Sequence, residues 1–133
     1  MHFNSPPEKV YEALATDEGR ARFWAESTIE NEDVIEFQFS NHQKSNGKIL
    51  RREPQRIFSV EYFASQVTFE LKSDEKDGTD LFLTAENVDE ENRMEMVAGW
   101  ISVLMAMKAA VDFSVDLRNH DPKRSWTNGY ADN

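Results

Sequence analysis

The side chains that could do chemistry are few, and most of them fall late in the chain. Arg118-Asn119-His120-Asp121, continued by Lys123-Arg124-Ser125-Trp126, holds His, Asp and Ser close together in sequence. A nucleophilic triad needs those groups arranged in space, not along the chain. The run therefore reads first as a hydrogen-bonded turn, with a ligand or catalytic role as the sharper alternative. Lys108 lies within the apolar stripe of a long helical stretch. It either carries its ammonium out to water or stands at a cavity mouth, facing an anionic or carbonyl-bearing ligand. Asp89-Glu90-Glu91 suit the positive end of the helix dipole better than they suit a metal.

Other signatures are missing. The five glycines stand far apart, so no dinucleotide or phosphate-loop fingerprint forms, and Gly47-Lys48 lacks the flanking residues of one. His2, His42 and His120 are scattered and the chain has no Cys, which excludes disulfides and thiolate zinc and leaves no zinc pattern. No nucleophile-elbow motif occurs. No catalytic residue, metal or cofactor is expected. A net charge of −10 repels nucleic acid and anionic membrane, and no basic cluster larger than Lys48…Arg51-Arg52 offsets it. The segment from Met1 to Pro7 lacks the parts of a secretory signal, and no uninterrupted apolar run nears the roughly 18 residues of a membrane span. A cytoplasmic protein is the default expectation.

The elements that must position these groups follow from periodicity. The 133 residues are enough for one domain with a real core. Residues 1–4 read as a short strand. Ser5-Pro6-Pro7-Glu8 has the form of a capping box opening a helix over 6–15. A second short helix runs from Thr16-Asp17-Glu18 to near Phe23-Trp24. From Ser27 the period becomes two: Ile35, Phe37 and Phe39 alternate with polar residues, as do Phe58, Val60 and Tyr62, then Val67, Phe69 and Leu71, then Leu81, Leu83 and Ala85. With Lys48–Arg52 these make five strand candidates, and Asn46-Gly47 is the expected hairpin turn. Short polar turns imply an antiparallel meander.

The longest helical signal comes last, from about Asn92 to Asp116, roughly 37 Å long at 1.5 Å per residue. At 100° per residue, Val97, Trp100, Ile101, Leu104, Val111 and Val115 share one face, with Met96 and Met107 at its edge. The opposite face carries Gly99, Ser102, Ala106, Ala109 and Ala110, small residues that invite close packing. Its expected occupant is either the chain's own tail, residues 117–133 with Trp126 and Tyr130, or a second copy of the chain. A strongly curved sheet gripped by one helix leaves room for an aromatic-walled cavity.

The sequence resembles the START-like, birch-pollen-allergen (SRPBCC) superfamily, and within it the family named after the activator of the heat-shock chaperone ATPase. The resemblance rests on Pro6-Pro7-Glu8-Lys9-Val10-Tyr11-Glu12-Ala13-Leu14 leading to Phe23-Trp24. It also rests on Gly47-Lys48-Ile49 before Glu53-Pro54-Gln55-Arg56-Ile57, on Gly78-Thr79-Asp80-Leu81 and on Gly99-Trp100, and covers roughly residues 2–115. It implies an α+β helix-grip fold: a curved antiparallel sheet around a long C-terminal helix, with two short helices after the first strand. The expected organisation is a domain over 1–116 with a tail, 117–133, packing back on it.

Three functions follow as expectations. The first is binding of a small hydrophobic or aromatic molecule, with Trp24, Phe37, Phe39, Tyr62, Phe69, Trp100, Leu104 and Met107 as walls and Lys108 and Tyr62 as polar handles. The second is a protein-interaction module, either chaperone-associated or a homodimer through Gly99, Ser102, Ala106 and Ala109. The third is a cavity enzyme such as a cyclase or hydrolase, for which Tyr62, Lys108 and His120 are the available acid–base groups.

Overall fold

A computed structural model describes residues 1–133. After strand β1 (His2–Phe3) come helices α1 (Pro7–Ala15) and α2 (Asp17–Ala21). Six strands follow: β2 (Ser27–Asn31), β3 (Val34–Gln38), β4 (Lys44–Glu53), β5 (Ile57–Tyr62), β6 (Ser65–Ser73) and β7 (Thr79–Glu86). A 3-10 turn (Glu90–Asn92) leads into helix α3 (Arg93–Phe113). The strands form one antiparallel sheet in the order β1-β7-β6-β5-β4-β3-β2, a helix-grip fold. Alternation places Phe37, Phe58, Val60, Val67, Phe69 and Leu81 in the core with Phe3, Val10 and Leu14.

The Asn46-Gly47 turn does not form. Both residues lie inside β4, and the turn between β3 and β4 falls earlier, where the His42 N–H donates to the Phe39 carbonyl at 2.9 Å. A further, unexpected hairpin turns at Glu32-Asp33 between β2 and β3, whose φ values of 49° and 63° suit a tight turn. One expected strand is thus two, and six strands rather than five follow the helices. Gly47 is needed for another reason: a Cβ there would run into the Glu61 carbonyl oxygen on β5. Helix α1 begins one residue later than the capping box implies. Pro6 is its N-cap, and the Ser5 hydroxyl donates instead to the Val111 carbonyl of α3 at 3.5 Å. In α2, the Thr16 hydroxyl accepts the Gly19 N–H at 3.0 Å, an ordinary N-cap.

The phase of α3 also differs from the expected one. Trp100, Met107 and Val111 are buried, but so are Ala106 and Ala110 from the supposed opposite face. Val97 and Ile101 are 55% and 57% exposed, and Val115 lies beyond the helix end. The physical reason is composition: from Met94 to Val111 only Glu95 and Lys108 are charged, so apolarity defines no single stripe. By length and composition alone this helix could cross a membrane, although no single uninterrupted run announces it. In this fold it serves as the core helix.

Helix α2 is fixed to the sheet by a buried cation. Arg20, fully buried, donates to the Leu14 carbonyl at 2.9 Å, Thr28 Oγ1 at 3.1 Å, Asp17 Oδ1 at 2.7 Å and Glu30 Oε2 at 3.1 Å. All three guanidinium nitrogens donate, which is what makes a buried arginine tolerable. Arg20→Ala leaves Asp17 without its cation and Glu30 with only Arg52. It is expected to cost about 3 kcal/mol of unfolding free energy, measured by urea titration.

Candidate functional site

Trp24 is the hub of the interior. It follows α2, where its N–H donates to the Arg20 carbonyl at 2.8 Å. Its ring lies 5.1 Å from Phe37, 5.4 Å from Tyr62, 5.6 Å from Phe69 and 5.7 Å from Trp100, centroid to centroid. Tyr62 stands at the end of β5, held by the tight Phe63-Ala64 turn with φ of 45° and 62°. Phe39, just past β3, stacks on Phe37 and on Phe63. Tilted and edge-on contacts dominate around Trp24, the geometry that aromatic quadrupoles favour.

The cluster fills the deep end of the space between sheet and helix. Beside it opens a groove of about 850 Å³. Its floor is Trp24, Tyr62 and Trp100, one bank is Phe39–Asn41 with Phe63, and another is the Ala98, Gly99, Ser102 and Ala106 side of α3. The last bank is the C-terminal segment, with Trp126 and Ala131–Asn133.

That segment is held by polar contacts. Arg118 donates to the Ala21 and Ala25 carbonyls, each at 2.7 Å, and pairs with Asp116 at 2.7 Å. His120 lies between Glu26 Oε1 at 2.7 Å and Asp116 Oδ2 at 3.1 Å. The Trp126 indole donates to Glu95 Oε1 at 2.9 Å while its ring edge sits 3.8 Å from where a Gly99 Cβ would be. The Ser102 hydroxyl donates to the Ala131 carbonyl.

Four of the eight residues expected as walls, Trp24, Phe39, Tyr62 and Trp100, come together on the groove. Phe37, Phe69 and Met107 are fully buried behind it in the closed core, and Leu104 packs on the core away from the groove. Lys108 is not at a cavity mouth. Its ammonium binds the His2 carbonyl at 2.7 Å and Asp112 at 2.8 Å, fastening α3 to β1. Of the expected homodimer face, Gly99, Ser102 and Ala106 line the groove beside the chain's own tail, and Ala109 lies outside it. Sequence reasoning missed Ser40, Phe63, Met96 and Val103 as lining. Their signal is positional, since each follows from the corrected turns and helix phase.

Two buried polar atoms on groove residues, Trp24 Nε1 and Ser40 Oγ, have no hydrogen-bond partner. Burial pushes the Tyr62 phenol up, with the adjacent Trp24 indole opposing, so it remains an O–H donor at working pH. Of the three acid–base candidates only Tyr62 is on the groove wall. Both His120 ring nitrogens face carboxylates, and Ser125 pairs with Thr127 at 2.9 Å, so no triad assembles. No three His, Asp or Glu side chains converge as a metal-holding group.

The sequence matches the family described as Activator of Hsp90 ATPase homolog 1-like protein over residues 4–112, and the chain belongs to that family. No curated protein matches it. Protein SSP2350 from Staphylococcus saprophyticus is similar in structure, with TM-score 0.76 at 22% identity over 89% of this chain and 92% of that one. The Aha1 dimer from Colwellia psychrerythraea gives 0.72 at 20% identity, over 85% and 92%. CalU16 from Micromonospora echinospora gives 0.67 at 23%, over 82% and 69%. At such identities the likeness establishes the fold.

Arg118, chiefly by hydrogen bonding, holds the Asp116 carboxyl down at about 2. A depressed folded-state pKa contributes stability above the unfolded value near 4 that is lost as pH falls toward 2. Asp116→Asn is therefore expected to lower the melting temperature at pH 7 and to flatten its decline between pH 4 and pH 2, read by thermal denaturation across that range.

Proposed function

We propose that the protein binds a small hydrophobic or aromatic molecule in the groove between α3, the Phe39–Asn41 bank and the C-terminal segment. The observation that carries this reading is the groove itself: about 850 Å³ floored by Trp24, Tyr62 and Trp100. That volume suits a drug-sized ligand, and apolar walls with a few polar groups are the usual composition of such sites. Indole and phenol rings give broad contact at little entropic cost, and Met96 and Met105 adapt to shape. The tail, which we assign as a segment packing on a domain of residues 1–116, supplies one bank rather than a cover.

A second reading is self-association through a different helix face from the small-residue one. Met94 is 86% exposed, and Val97, Ile101 and Met105 beside it are about half exposed. Four large apolar side chains on successive turns of one helix are unusual for an uncovered surface. The dimeric state of the Colwellia protein favours this reading. The occupant would be the same stripe of a second copy, in an isologous pair.

The neutral dye N-phenyl-1-naphthylamine is expected to gain fluorescence on binding. Trp100→Ala should weaken it at least tenfold, and Gly99→Phe, which fills the groove opposite Trp126, should abolish it. Unchanged affinity in both variants counts against the groove. Sedimentation velocity should show a dimer that Ile101→Glu converts to monomer while dye binding persists; a monomeric parent protein ends the second reading.

A further inference from the structure

We infer that the groove selects uncharged aromatic molecules bearing an acceptor oxygen, held by Trp24 and Ser40, and that an acidic rim of Glu26, Glu95 and Asp132 rejects anions. This deepens the ligand-binding reading and rests on it.

The donors come first. Trp24 and Ser40 are only 4% and 9% exposed, and both are groove residues. Ser40 Oγ has no partner in the chain, and Trp24 Nε1 makes no hydrogen bond of full geometry, its indole only reaching toward the Tyr62 phenol. Buried donors are almost always paired, because an unmade bond forfeits what water supplied. Tyr62, kept protonated by its burial, adds a third donor to the groove. An indole N–H can only donate. The complementary group is therefore an acceptor such as a ketone, ester or ether oxygen.

The charges decide which acceptor. Three carboxylates stand on the groove: Glu26, Glu95 and Asp132. Glu95 accepts from the neutral Trp126 indole and Asp132 from the neutral Asn119 amide, so neither is paired with a cation, while Glu26 lies against the His120 imidazole at 2.7 Å. Arg118 is the one cation on the wall, and it is spent. Its side chain is 5% exposed, pairs with Asp116 and gives its other N–H groups to the Ala21 and Ala25 carbonyls. Lys108, the cation that would have greeted an anion, is tied to Asp112 away from the groove. A carboxylate ligand would meet like charges in a half-buried, weakly screened setting and find no free cation. A carbonyl of the same shape meets only donors.

Three matched probes separate the contributions: 2-acetylnaphthalene, 2-naphthoate and 2-ethylnaphthalene, titrated at pH 7 against the full chain and followed by the tryptophan indole N–H signals in ¹⁵N-labelled protein. The ketone should bind at least tenfold tighter than the carboxylate and severalfold tighter than the ethyl compound, with the Trp24 indole signal moving downfield. Trp24→Phe should bring the ketone to the ethyl compound's affinity. Should that variant fold poorly by circular dichroism, Ser40→Ala, expected to weaken the ketone two- to fivefold, stands in. Glu95→Gln with Asp132→Asn keeps both neutral hydrogen bonds and should raise naphthoate affinity at least threefold, leaving the ketone unchanged. Naphthoate binding as tightly as the ketone, or a ketone no better than the ethyl compound, overturns the inference while the groove stands as a ligand site. If none of the three binds, the ligand-binding reading falls and this inference falls with it.

Discussion

Helix α3 is apolar on nearly every side, and one curved sheet can cover only part of it. That mismatch governs the molecule. A 21-residue helix is about 31 Å long. The sheet and α1 take the edge formed by Trp100, Met107 and Val111, leaving the Gly99–Ser102–Ala106 side and the Met94–Val97–Ile101 side. The first is met by Trp126 and the groove. The second is met by nothing within the chain.

The sheet's contribution is set by aromatics rather than by strand number. Trp24 gathers Phe37, Tyr62, Phe69 and Trp100 within 6 Å, so the deep interior is solid. A helix-grip domain with smaller residues there would have its cavity in the centre. Here the space is displaced sideways, toward the end of β3 and the tail. The shift explains why half of the expected walls are core residues. It also leaves Trp24 and Ser40, whose buried Nε1 and Oγ go without a well-formed hydrogen bond, among the groove residues.

Much of the fold was legible because alternation in β6 and β7 is clean and each of these strands buries one face. The turns were less so. Asn46-Gly47 carries the strongest hairpin signature in the chain but is a strand pair of residues, its glycine required by the Glu61 backbone. The β3–β4 turn falls instead in the polar stretch before it, at Ser40-Asn41-His42. The additional turn between β2 and β3, Glu32-Asp33, holds two acids in left-handed conformation with no Gly between the strands to announce it. The phase of α3 was illegible for a related reason: without a polar face, an angle assigned from Val97 has nothing to correct it. Lys108 followed that error into a cavity it does not enter. Trp24 and Tyr62 were read as wall residues without needing the phase, since large aromatics at helix and strand ends bury themselves wherever the cluster forms, and Trp100 kept its inward position because its burial survives the corrected phase.

The central claim is that this groove holds a small molecule. Native mass spectrometry on gently purified protein, compared with the denatured mass, tests it most directly. The account predicts a non-covalent adduct on the order of a few hundred daltons, the size such a volume admits, present in the parent protein and absent from Gly99→Phe. Equal occupancy in the two proteins, or a bare mass that persists after incubation with a mixture of neutral aromatic carbonyl compounds, would contradict it.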